Sequence, residues 1–464
     1  MSWKGRRVAV VGLGISNVAV ARYLASKGAL ITACDQKSQS SLGQRYTELS
    51  ALGVEFQLGP DYLGNLERFE YLMLAPGVPL SLPPLIEAER RGVVLSSEMN
   101  LFFSECRAPI IGITGSSGKT TTTLLLAEIL TASGLATHVG GNIGRPLLEE
   151  VDALSSDTWV LLELSSFQLQ LLQRSPQIAL ITNVSPNHLD VHRNMDEYIA
   201  AKKRVFQFQN PQDWLILNSD NRTTRLMGTE AVGQLAWFSR SKQPSRGACV
   251  IGERVMISRA GHLEEVCHVQ DIRLLGAHNL ENVLAAVTVA DLTDCPSDIM
   301  HDVITSFSGV EHRLEFVQEL DGVAFYNDSK ATTPTGTIAA LHSFSRPVVL
   351  IAGGYDKHLP FGEMAEVALG KTKAVVLLGA TQEKIAAAIR DAADRMGRDA
   401  PPILQTHDLA GAVAMARRYA DRGDAILLSP ACASYDMFRS YEERGVQFRE
   451  IVRTLVAPRI TARP

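Results

Sequence analysis

The sequence has few cysteines, no long apolar run and no excess of basic residues. Its six cysteines are scattered over 464 residues without a Cys-x-x-Cys spacing, which excludes a zinc site or a disulfide framework as the organising feature. No apolar stretch approaches membrane-spanning length. The start, MSWKGRRVAVVGLG, has basic residues before an apolar run, but Gly12, Gly14 and Asn17 interrupt that run, so it favours a first strand over a secretory signal.

The charge balance limits the class of partner. Lys and Arg number 45 against 50 Asp and Glu, a formal net charge of -5, which argues against sequence-independent binding to nucleic acid or anionic lipid. We therefore expect a cytoplasmic protein with small-molecule partners, without nucleic-acid binding and without membrane insertion.

Short Val/Ile/Leu runs alternate with helical patterns and Gly-rich turns along the whole chain. This pattern is typical of parallel sheets covered by helices, and the length exceeds what one hydrophobic core usually serves. We predict an α/β protein of three domains: a Rossmann-like N-terminal domain over 1–98, a central P-loop ATPase-type domain with a mainly parallel sheet over 99–310, and a Rossmann-like C-terminal domain over 311–464. Residues 226–275 are polar and poorly periodic, and we expect a small insertion with edge strands there.

The segment TGSSGKTTTT, residues 114–123, lies between the apolar run PIIGI and the helical pattern TLLLAEILTASG. In such a loop the backbone N–H groups and the helix N-terminus face an anion, Lys119 supplies a charge, and the Thr120 hydroxyl can hold Mg²⁺. The usual pattern has a glycine where this chain has Ile113, with Gly115 nearer to the lysine. We predict a nucleoside triphosphate site, and the alternative is a Gly/Ser turn that binds nothing.

The first unit, RRVAVVGLGISN followed by a helix and by ITACD up to Asp35, resembles half of a dinucleotide fold. Asn17 stands at the third glycine position of its Gly-x-Gly-x-x-Gly pattern. Glycine at that position allows the helix to pack closely on the strand, so the asparagine is expected to disturb this packing. A redox dinucleotide and a nucleotide-diphosphate substrate are both compatible with this loop, and the pattern favours the second.

Three further residues are candidates for chemistry. Glu163 lies in the apolar run WVLLELSSFQL, where a carboxylate serves either a metal or a structural salt bridge. His188 follows a strand that should end near the phosphate loop, and it is either a site residue or an ordinary histidine. Lys202 lies on the apolar helix face between Tyr198 and Phe206; desolvation would lower its pKa, so that the amine could act as a nucleophile or be carbamylated by CO₂. The alternative is a lysine that snorkels to solvent.

Later segments are GAHNLENVLAA, GVEHRLEF, YNDSKATTPTGT, AGGYDKHLP and SPACASYDMFRSYEERGVQF. Together with TGSSGKTT, ELSSFQ, NHLD and AAK in this order, they resemble the Mur ligases of peptidoglycan precursor synthesis over nearly the whole chain. The resemblance implies that ATP phosphorylates a substrate carboxylate and that the amine of an amino acid then displaces phosphate. It implies UDP-N-acetylmuramoyl-L-alanine, glutamate and ATP as substrates, and we expect a monomer.

The resemblance also implies two Mg²⁺ ions at the ATP. Thr120 and Glu163 would hold the first ion, and His188 would hold the second together with Lys202 carrying a CO₂-derived carbamate. The implied phosphate-binding residues are Gly115, Ser116, Ser117, Gly118, Lys119, Thr120 and Thr121. The other implied ATP-binding residues are Asn279, Asn282, Arg313, Asp328 and Lys330. The implied catalytic residues are Lys119, Glu163, His188, Lys202 and Lys330.

For the other substrates, the resemblance implies two binding regions. The UDP-linked substrate would be bound by Gly14, Asp35, Gly77 and Asn142. The incoming amino acid would be bound by Thr332, Lys357, Ser434 and Tyr441, with Lys357 placed to pair with a glutamate carboxylate.

Other classes of protein share parts of this pattern. A folylpolyglutamate synthetase would share the phosphate loop and the lysine but lack a diphosphate-binding first domain. A P-loop kinase or switch ATPase would need only the central domain, and a UDP-sugar sensor or nicotinamide oxidoreductase would not need Lys119. The choice between D- and L-glutamate depends on the handedness of a pocket, which no linear motif encodes.

Overall fold

A computed structural model describes residues 2–186 and 192–455. The strands are β1 (Arg7–Val11), β2 (Leu30–Asp35), β3 (Glu55–Leu58), β4 (Tyr71–Leu74), β5 (Val94–Ser96), β6 (Ile110–Thr114), β7 (Ala136–Gly141), β8 (Thr158–Glu163), β9 (Ile178–Ile181), β10 (Trp214–Asn218), β11 (Gln234–Ser239), β12 (Arg246–Ile251), β13 (Arg254–Arg259), β14 (His262–His268), β15 (Glu315–Leu320), β16 (Val323–Asn327), β17 (Val348–Ala352), β18 (Thr372–Leu377), β19 (Ile403–Gln405) and β20 (Ala425–Leu428).

The helices alternate with these strands, which confirms the α/β prediction. They are α1 (Ile15–Ser26), α2 (Gln39–Leu42), α3 (Gln44–Ala51), α4 (Pro83–Arg90), α5 (Glu98–Glu105), α6 (Lys119–Ala132), α7 (Ser166–Leu169), α8 (Met195–Lys203), α9 (Arg222–Met227), α10 (Ala277–Leu292), α11 (Ser297–Ser306), α12 (Pro334–His342), α13 (Gly362–Lys371), α14 (Gln382–Met396), α15 (Leu409–Tyr419) and α16 (Tyr441–Thr454). Among the described residues, no helix has both the length and the apolar character needed to cross a membrane.

The first sheet has the strand order β3-β2-β1-β4-β5, and its strands are parallel. β1 and β4 are short apolar runs that are almost wholly buried, as expected for strands covered on both faces. Parallel strands end at the same edge, so the loops after β1 and β2 lie side by side.

Asn17 resolves the question raised by the missing third glycine. Its side chain is fully buried, and its Nδ2 donates to the carbonyl oxygens of Val11 at 2.8 Å and Met73 at 3.1 Å. The amide therefore links α1 to the ends of β1 and β4. Close packing is kept because hydrogen bonds to two carbonyls replace the bare backbone contact of a glycine.

In the part of the chain that the structure describes, the central sheet has nine strands in the order β14-β13-β12-β11-β10-β9-β6-β8-β7. From β7 to β12 neighbouring strands are parallel, and β13 runs antiparallel to β12. The polar segment 226–275 supplies β11 to β14, so the edge strands expected there are present. β6 lies between β8 and β9, which brings the ends of these three strands together.

The third sheet has the order β15-β16-β20-β17-β18-β19, with only β15 antiparallel to its neighbour. Its inner strands β17 and β20 are completely buried and have apolar side chains. The fold therefore consists of three α/β domains, each built on its own mainly parallel sheet.

By internal contacts the chain divides into two compact units. One contains the chain up to Val266 with Glu281–Val303, and the other contains Cys267–Leu280 with the chain from Ile304 onward. The first two sheets share the first unit, in which one hydrophobic cluster includes both Leu24 of α1 and Leu148. Arg22 also pairs there with Glu149 at 2.7 Å.

Candidate active site

The phosphate loop connects the completely buried strand β6 to α6, in the first unit. Gly115 has φ +154° and Gly118 has φ +83°, both in the region that favours glycine. A Cβ atom on Gly115 would lie 1.9 Å from the Thr182 hydroxyl oxygen, and one on Gly118 would lie 2.1 Å from Asn282 Oδ1. The loop can therefore adopt this path only with glycine at both positions.

We expect Gly115→Ala to destabilise the first unit by about 3 kcal/mol, because the substitution adds both a steric overlap and a strained backbone. Denaturant unfolding measures the change. Gly14→Ala is the control, because Gly14 has φ -73° and open space where its Cβ would be. Equal stability of wild type and Gly115→Ala would contradict this description of the loop.

Two residues that sequence analysis did not identify hold the loop from β9. Asn183 Oδ1 accepts from the Ser117 N–H at 3.1 Å, and its Nδ2 donates to the Ser117 carbonyl at 3.1 Å. Thr182 donates its hydroxyl to the same carbonyl at 2.6 Å. Only their position in the sequence could have identified these two residues, because they directly follow β9, the strand that pairs with β6.

Glu163 ends β8 on the other side of β6, and only 1% of its surface is exposed. Its carboxylate accepts from the Thr120 hydroxyl at 2.7 Å and from Asn142 Nδ2 at 2.9 Å. Among the residues that the structure describes, no ion pair reaches Glu163, so the salt-bridge alternative finds no partner there. The structure thus brings together three residues named in the sequence analysis, Thr120, Asn142 and Glu163. Each has a side-chain oxygen, and oxygen atoms are the ligands that Mg²⁺ prefers.

Lys202 is buried, with 1% of its surface exposed, which excludes snorkelling. Helix α8 is capped by Asn194, whose Oδ1 accepts from the Glu197 N–H at 2.9 Å. Lys202 Nζ donates to the Gly115 carbonyl at 2.9 Å, and Lys119 Nζ donates to the same oxygen at 3.0 Å. Burial lowers the pKa of Lys202 to about 7, and the charge of Lys119 acts in the same direction.

Aromatic side chains surround this lysine. Its Nζ lies 4.7 Å from the centroid of the Tyr198 ring, and the Tyr198 hydroxyl is 3.0 Å from that of Ser116. His192, which sequence analysis also missed, has its Nε2 2.9 Å from the Ser166 hydroxyl and stacks on Phe167. His188 lies outside the described residues.

The two asparagines proposed for ATP have different surroundings. Asn282 is buried beside Gly118 in the first unit. Asn279 belongs to the second unit, where its Nδ2 donates to the Leu275 carbonyl at 2.7 Å. The structure thus places Asn282 beside the phosphate loop within the first unit.

The N-terminal domain has a second group of candidate residues. Gly14 and Gly77 both have open space beside their Cα atoms. Asp35 ends β2, and its carboxylate accepts from the backbone N–H groups of Leu13 at 2.6 Å and Lys37 at 2.8 Å. Its first structural role is therefore to hold the Gly-rich loop against β2.

A groove of about 550 Å³ lies next to this loop, and Lys37 and Arg45, not identified from the sequence, line it. Arg45 Nη1 donates to the Leu13 carbonyl at 2.9 Å. In the described part of the chain, neither cation has a carboxylate partner, whereas Arg22 in the same groove is paired with Glu149. An anionic ligand would suit this groove.

In the second unit, the residues predicted for ATP follow β16. Asp328 is 5% exposed and accepts from the Ser429 hydroxyl at 2.8 Å and the Leu314 N–H at 3.1 Å. Burial raises the pKa of Asp328 to about 7. Lys330 is exposed, and its Nζ lies 5.9 Å from the centroid of the Tyr441 ring. Arg313 is also exposed.

The four residues predicted for the amino acid lie in loops or at a helix start of the same unit. Thr332 follows β16 and is half-buried, Lys357 follows β17 and is exposed, and Ser434 follows β20 and is buried. Tyr441 begins α16, and burial together with Glu442 raises the pKa of its hydroxyl to about 12.

Arg444 holds together the loops that follow β16 and β20. Sequence analysis did not identify this role. Its guanidinium is 1% exposed; Nη2 donates to the Ser329 carbonyl at 2.8 Å and Nη1 donates to the Cys432 carbonyl at 3.2 Å. It therefore connects the loop after β16 to the loop after β20. In the sequence it is one of several charged residues in SYEERGVQF, with nothing to mark it as buried.

Comparison with protein families gives three matches along the chain. The N-terminal domain of the MurD-like Mur ligases matches residues 6–97, the Mur ligase middle domain matches residues 113–290, and the glutamate ligase domain of Mur ligases matches residues 312–432. The phosphate loop, Glu163 and Lys202 all lie within the middle-domain match. Fold and site together therefore define a ligase of the Mur type.

Curated relatives match over nearly the full length. A UDP-N-acetylmuramoylalanine–D-glutamate ligase from Symbiobacterium thermophilum is 50% identical over 97% of this chain and 98% of its own. The enzyme of the same name from Clostridium novyi is 46% identical over 97% of both chains. The chain therefore belongs to the Mur ligase family, among the UDP-N-acetylmuramoylalanine–D-glutamate ligases.

Solved structures share the fold at lower identity. A UDP-N-acetylmuramoyl-L-alanyl-D-glutamate–2,6-diaminopimelate ligase is similar with a TM-score of 0.59 and 19% identity, covering 97% of this chain and 92% of that one. A UDP-N-acetylmuramate-alanine ligase from Thermotoga maritima has a TM-score of 0.55 and 17% identity, covering 96% of this chain and 99% of that one. These likenesses bear out the three-domain α/β architecture.

Proposed function

We propose that this protein is an ATP-dependent ligase that adds D-glutamate to UDP-N-acetylmuramoyl-L-alanine during peptidoglycan precursor synthesis. The observation that carries the proposal is the phosphate loop, which lies beside the Thr120–Glu163–Asn142 cluster and the buried Lys202 in a chain 50% identical to a ligase of that name. ATP and a UDP-linked substrate make the cytoplasm the expected site of reaction, and a monomer suffices because all candidate residues belong to one chain.

The chemistry has two steps. The alanine carboxylate of the UDP-linked substrate attacks the γ-phosphorus of ATP; a C–O–P bond forms and ADP leaves. The glutamate amine then attacks the acyl carbon, an amide bond forms, inorganic phosphate leaves, and the amine loses a proton. Both steps concentrate negative charge, which Lys119 and the loop N–H groups are placed to stabilise.

The residues beside the phosphate loop fit Mg²⁺. Thr120 and Glu163 supply hard oxygen donors for one ion, and His188 with Lys202 is proposed for a second. Magnesium bound there would neutralise charge on the transferring phosphoryl group. Asn142 orients the Glu163 carboxylate through its 2.9 Å hydrogen bond.

A carbamate on Lys202 would resolve an electrostatic problem in the structure. The Nζ atoms of Lys119 and Lys202 both donate to the Gly115 carbonyl oxygen, so two cations lie close together. Burial lowers the pKa of Lys202 to about 7. Once the ammonium group has lost a proton, the neutral amine can attack CO₂; an N–C bond forms, one C=O π bond opens to give the carboxylate, and a second proton is released. The two proton losses together convert a cation into an anion. An anion at this position would be paired with Lys119 and available to a metal ion.

The remaining candidates are proposed as ligand-binding groups. For ATP these are Gly115, Ser116, Ser117, Gly118, Thr121, Asn279, Asn282, Arg313, Asp328 and Lys330. For the UDP-linked substrate they are Gly14, Asp35, Gly77 and Asn142, and for glutamate Thr332, Lys357, Ser434 and Tyr441. Lys330 is also proposed as a catalytic cation, because an exposed ammonium can approach developing negative charge.

The proposed function is tested by phosphate release from ATP in the presence of UDP-N-acetylmuramoyl-L-alanine and each glutamate enantiomer separately. We expect release with D-glutamate and little with L-glutamate. Release that does not depend on glutamate, or that is equal for both enantiomers, would contradict the proposal. Activity with a folate acceptor in place of the UDP-linked substrate would favour the folylpolyglutamate alternative.

A further inference from the structure

A small cavity lies within the first unit, and no residue of the phosphate loop is among its described lining residues. It is bounded by residues 74–80 of the N-terminal domain, here called the 74–80 loop, and by residues 165–171, here called the 165–171 turn. Its volume of about 20 Å³ is enough for about one water molecule. The polar groups around it are the side chains of Ser97, Glu98, Gln168 and Gln170.

Glu98 is the unusual member of this lining. It begins α5, and 5% of its surface is exposed. In residues 2–186 and 192–455, no hydrogen bond or ion pair reaches its carboxyl group. A buried carboxylate without a partner is costly, so this group either remains protonated or is used by something that enters the cavity.

The walls of the cavity are fixed by α5 itself. Asn100 Nδ2 donates to the Leu171 carbonyl at 2.5 Å, and its Oδ1 accepts from the Gln173 N–H at 2.9 Å. The side chains of Leu171 and Val78 both pack against the same apolar cluster, which contains Leu74. The helix that carries Glu98 therefore holds the 165–171 turn, which follows Glu163, against the 74–80 loop, which contains Gly77.

Among the residues that the structure describes, no positive charge compensates the Glu98 carboxylate. Of the described residues that line the cavity, Glu98 alone is ionisable. On the segments that pack against α5, Arg22 and Lys27 of α1 are paired with Glu149 and Asp152, and Glu150 is paired with Arg145. Arg174 donates to the Phe103 carbonyl at 3.5 Å, in the C-terminal half of α5 and not at Glu98. Burial alone raises the pKa of Glu98 to about 8, while the amide dipoles of the first turn of α5 act in the opposite sense.

We propose that Glu98 is a positioning residue that acts as a neutral hydrogen-bond donor in this cavity, holding the 74–80 loop and the 165–171 turn together around one water. Ionisation of the carboxyl group at alkaline pH would draw in water beyond the one that the cavity can hold and so loosen the loop that carries Gly77. The proposal rests on the proposed function, because it assigns the loop to binding of the UDP-linked substrate.

Steady-state kinetics of Glu98→Gln, Glu98→Ala and wild type test this role. At about pH 7 we expect Glu98→Gln to keep the wild-type KM for UDP-N-acetylmuramoyl-L-alanine, because an amide is neutral and donates, as the protonated acid does. Glu98→Ala should raise that KM at least about fivefold with kcat within about twofold, since it loses substrate positioning and not chemistry. Glu89→Gln, on the exposed side of α4, is the control and should match wild type.

The pH dependence separates a neutral donor from a required anion. Between about pH 7 and about pH 9 the wild-type KM should rise several-fold more than that of Glu98→Gln, since only wild type can ionise there. An unchanged KM in Glu98→Ala, or a large loss of activity in Glu98→Gln at about pH 7, would overturn the proposal.

Unfolding gives a readout independent of activity. A carboxyl group whose pKa is raised in the folded protein is protonated when folded and ionised when unfolded, so stability falls as pH rises from the ordinary value toward about 8. Glu98→Gln should therefore have a higher Tm than wild type at about pH 8, and this advantage should shrink toward about pH 5. A lower Tm than wild type at the higher pH would overturn the proposal. Failure of the proposed function would appear separately, as wild type without glutamate-dependent phosphate release.

Discussion

Replacing Lys202 with alanine is expected to reduce ligation by about 10²- to 10³-fold, the scale seen when one preorganised electrostatic partner of the transition state is removed. The reason is that the buried position would lose the group proposed to become an anion and hold a metal ion. Turnover at saturating substrates measures the effect. Formate or acetate should partly restore activity, because a small carboxylate can occupy the space that the shortened side chain leaves.

Lys203→Ala is the matched control. Lys203 is the next residue on α8, and its Nζ pairs with Glu230 at 2.6 Å near the surface. Removing a surface pair of this kind changes stability by no more than about 1 kcal/mol and should leave turnover unchanged. Wild-type turnover in Lys202→Ala, or a loss that carboxylates do not relieve, would contradict the carbamate assignment.

Glu163→Gln should lower kcat/KM by about 10²- to 10³-fold and raise the Mg²⁺ concentration needed for half-maximal rate. Glutamine keeps the shape and one acceptor for the Thr120 hydroxyl but removes the charge that attracts the ion. Titration of activity with Mg²⁺ separates this effect from lost folding. The variant should be at least as stable as wild type, because it removes a buried charge that has no cation in the described part of the chain.

Glu128→Gln provides the comparison for this variant, since Glu128 lies on the exposed side of α6, the helix that begins at the phosphate loop. The same chemical change there should alter neither the Mg²⁺ requirement nor kcat/KM. A Glu163→Gln enzyme with a normal Mg²⁺ response would show that Glu163 is not a metal ligand.

The sequence predicts most of the architecture because hydrophobic runs and loop chemistry are local. The buried strand β6, the glycines of the phosphate loop and the helix cap at Asn194 all follow from short patterns. Lys202 was recognisable because an ammonium group on an apolar helix face conflicts with its surroundings. These features depend on neighbours within a few residues, so no long-range contact is needed to find them.

Residues that act through long-range contacts could not be found in this way. Thr182 and Asn183 matter because β9 pairs with β6, 65 to 68 residues away along the chain. From the sequence alone, Arg444 is indistinguishable from a surface charge, because the two loops that bury it are distant along the chain. Glu98 likewise has the sequence context of an ordinary acidic residue in the first turn of a helix. Asn17 shows the converse, because a departure from a glycine pattern is compensated by two hydrogen bonds that only the folded chain provides.

The central claim is that the UDP-linked substrate becomes an acyl phosphate. The most direct measurement uses UDP-N-acetylmuramoyl-L-alanine whose carboxylate carries oxygen-18, with ATP, Mg²⁺ and D-glutamate, and analyses the released phosphate by mass spectrometry. We expect one labelled oxygen in each phosphate, because the carboxylate oxygen that attacked ATP leaves with the phosphoryl group. Phosphate free of label, formed at the same rate as the amide product, would contradict the account.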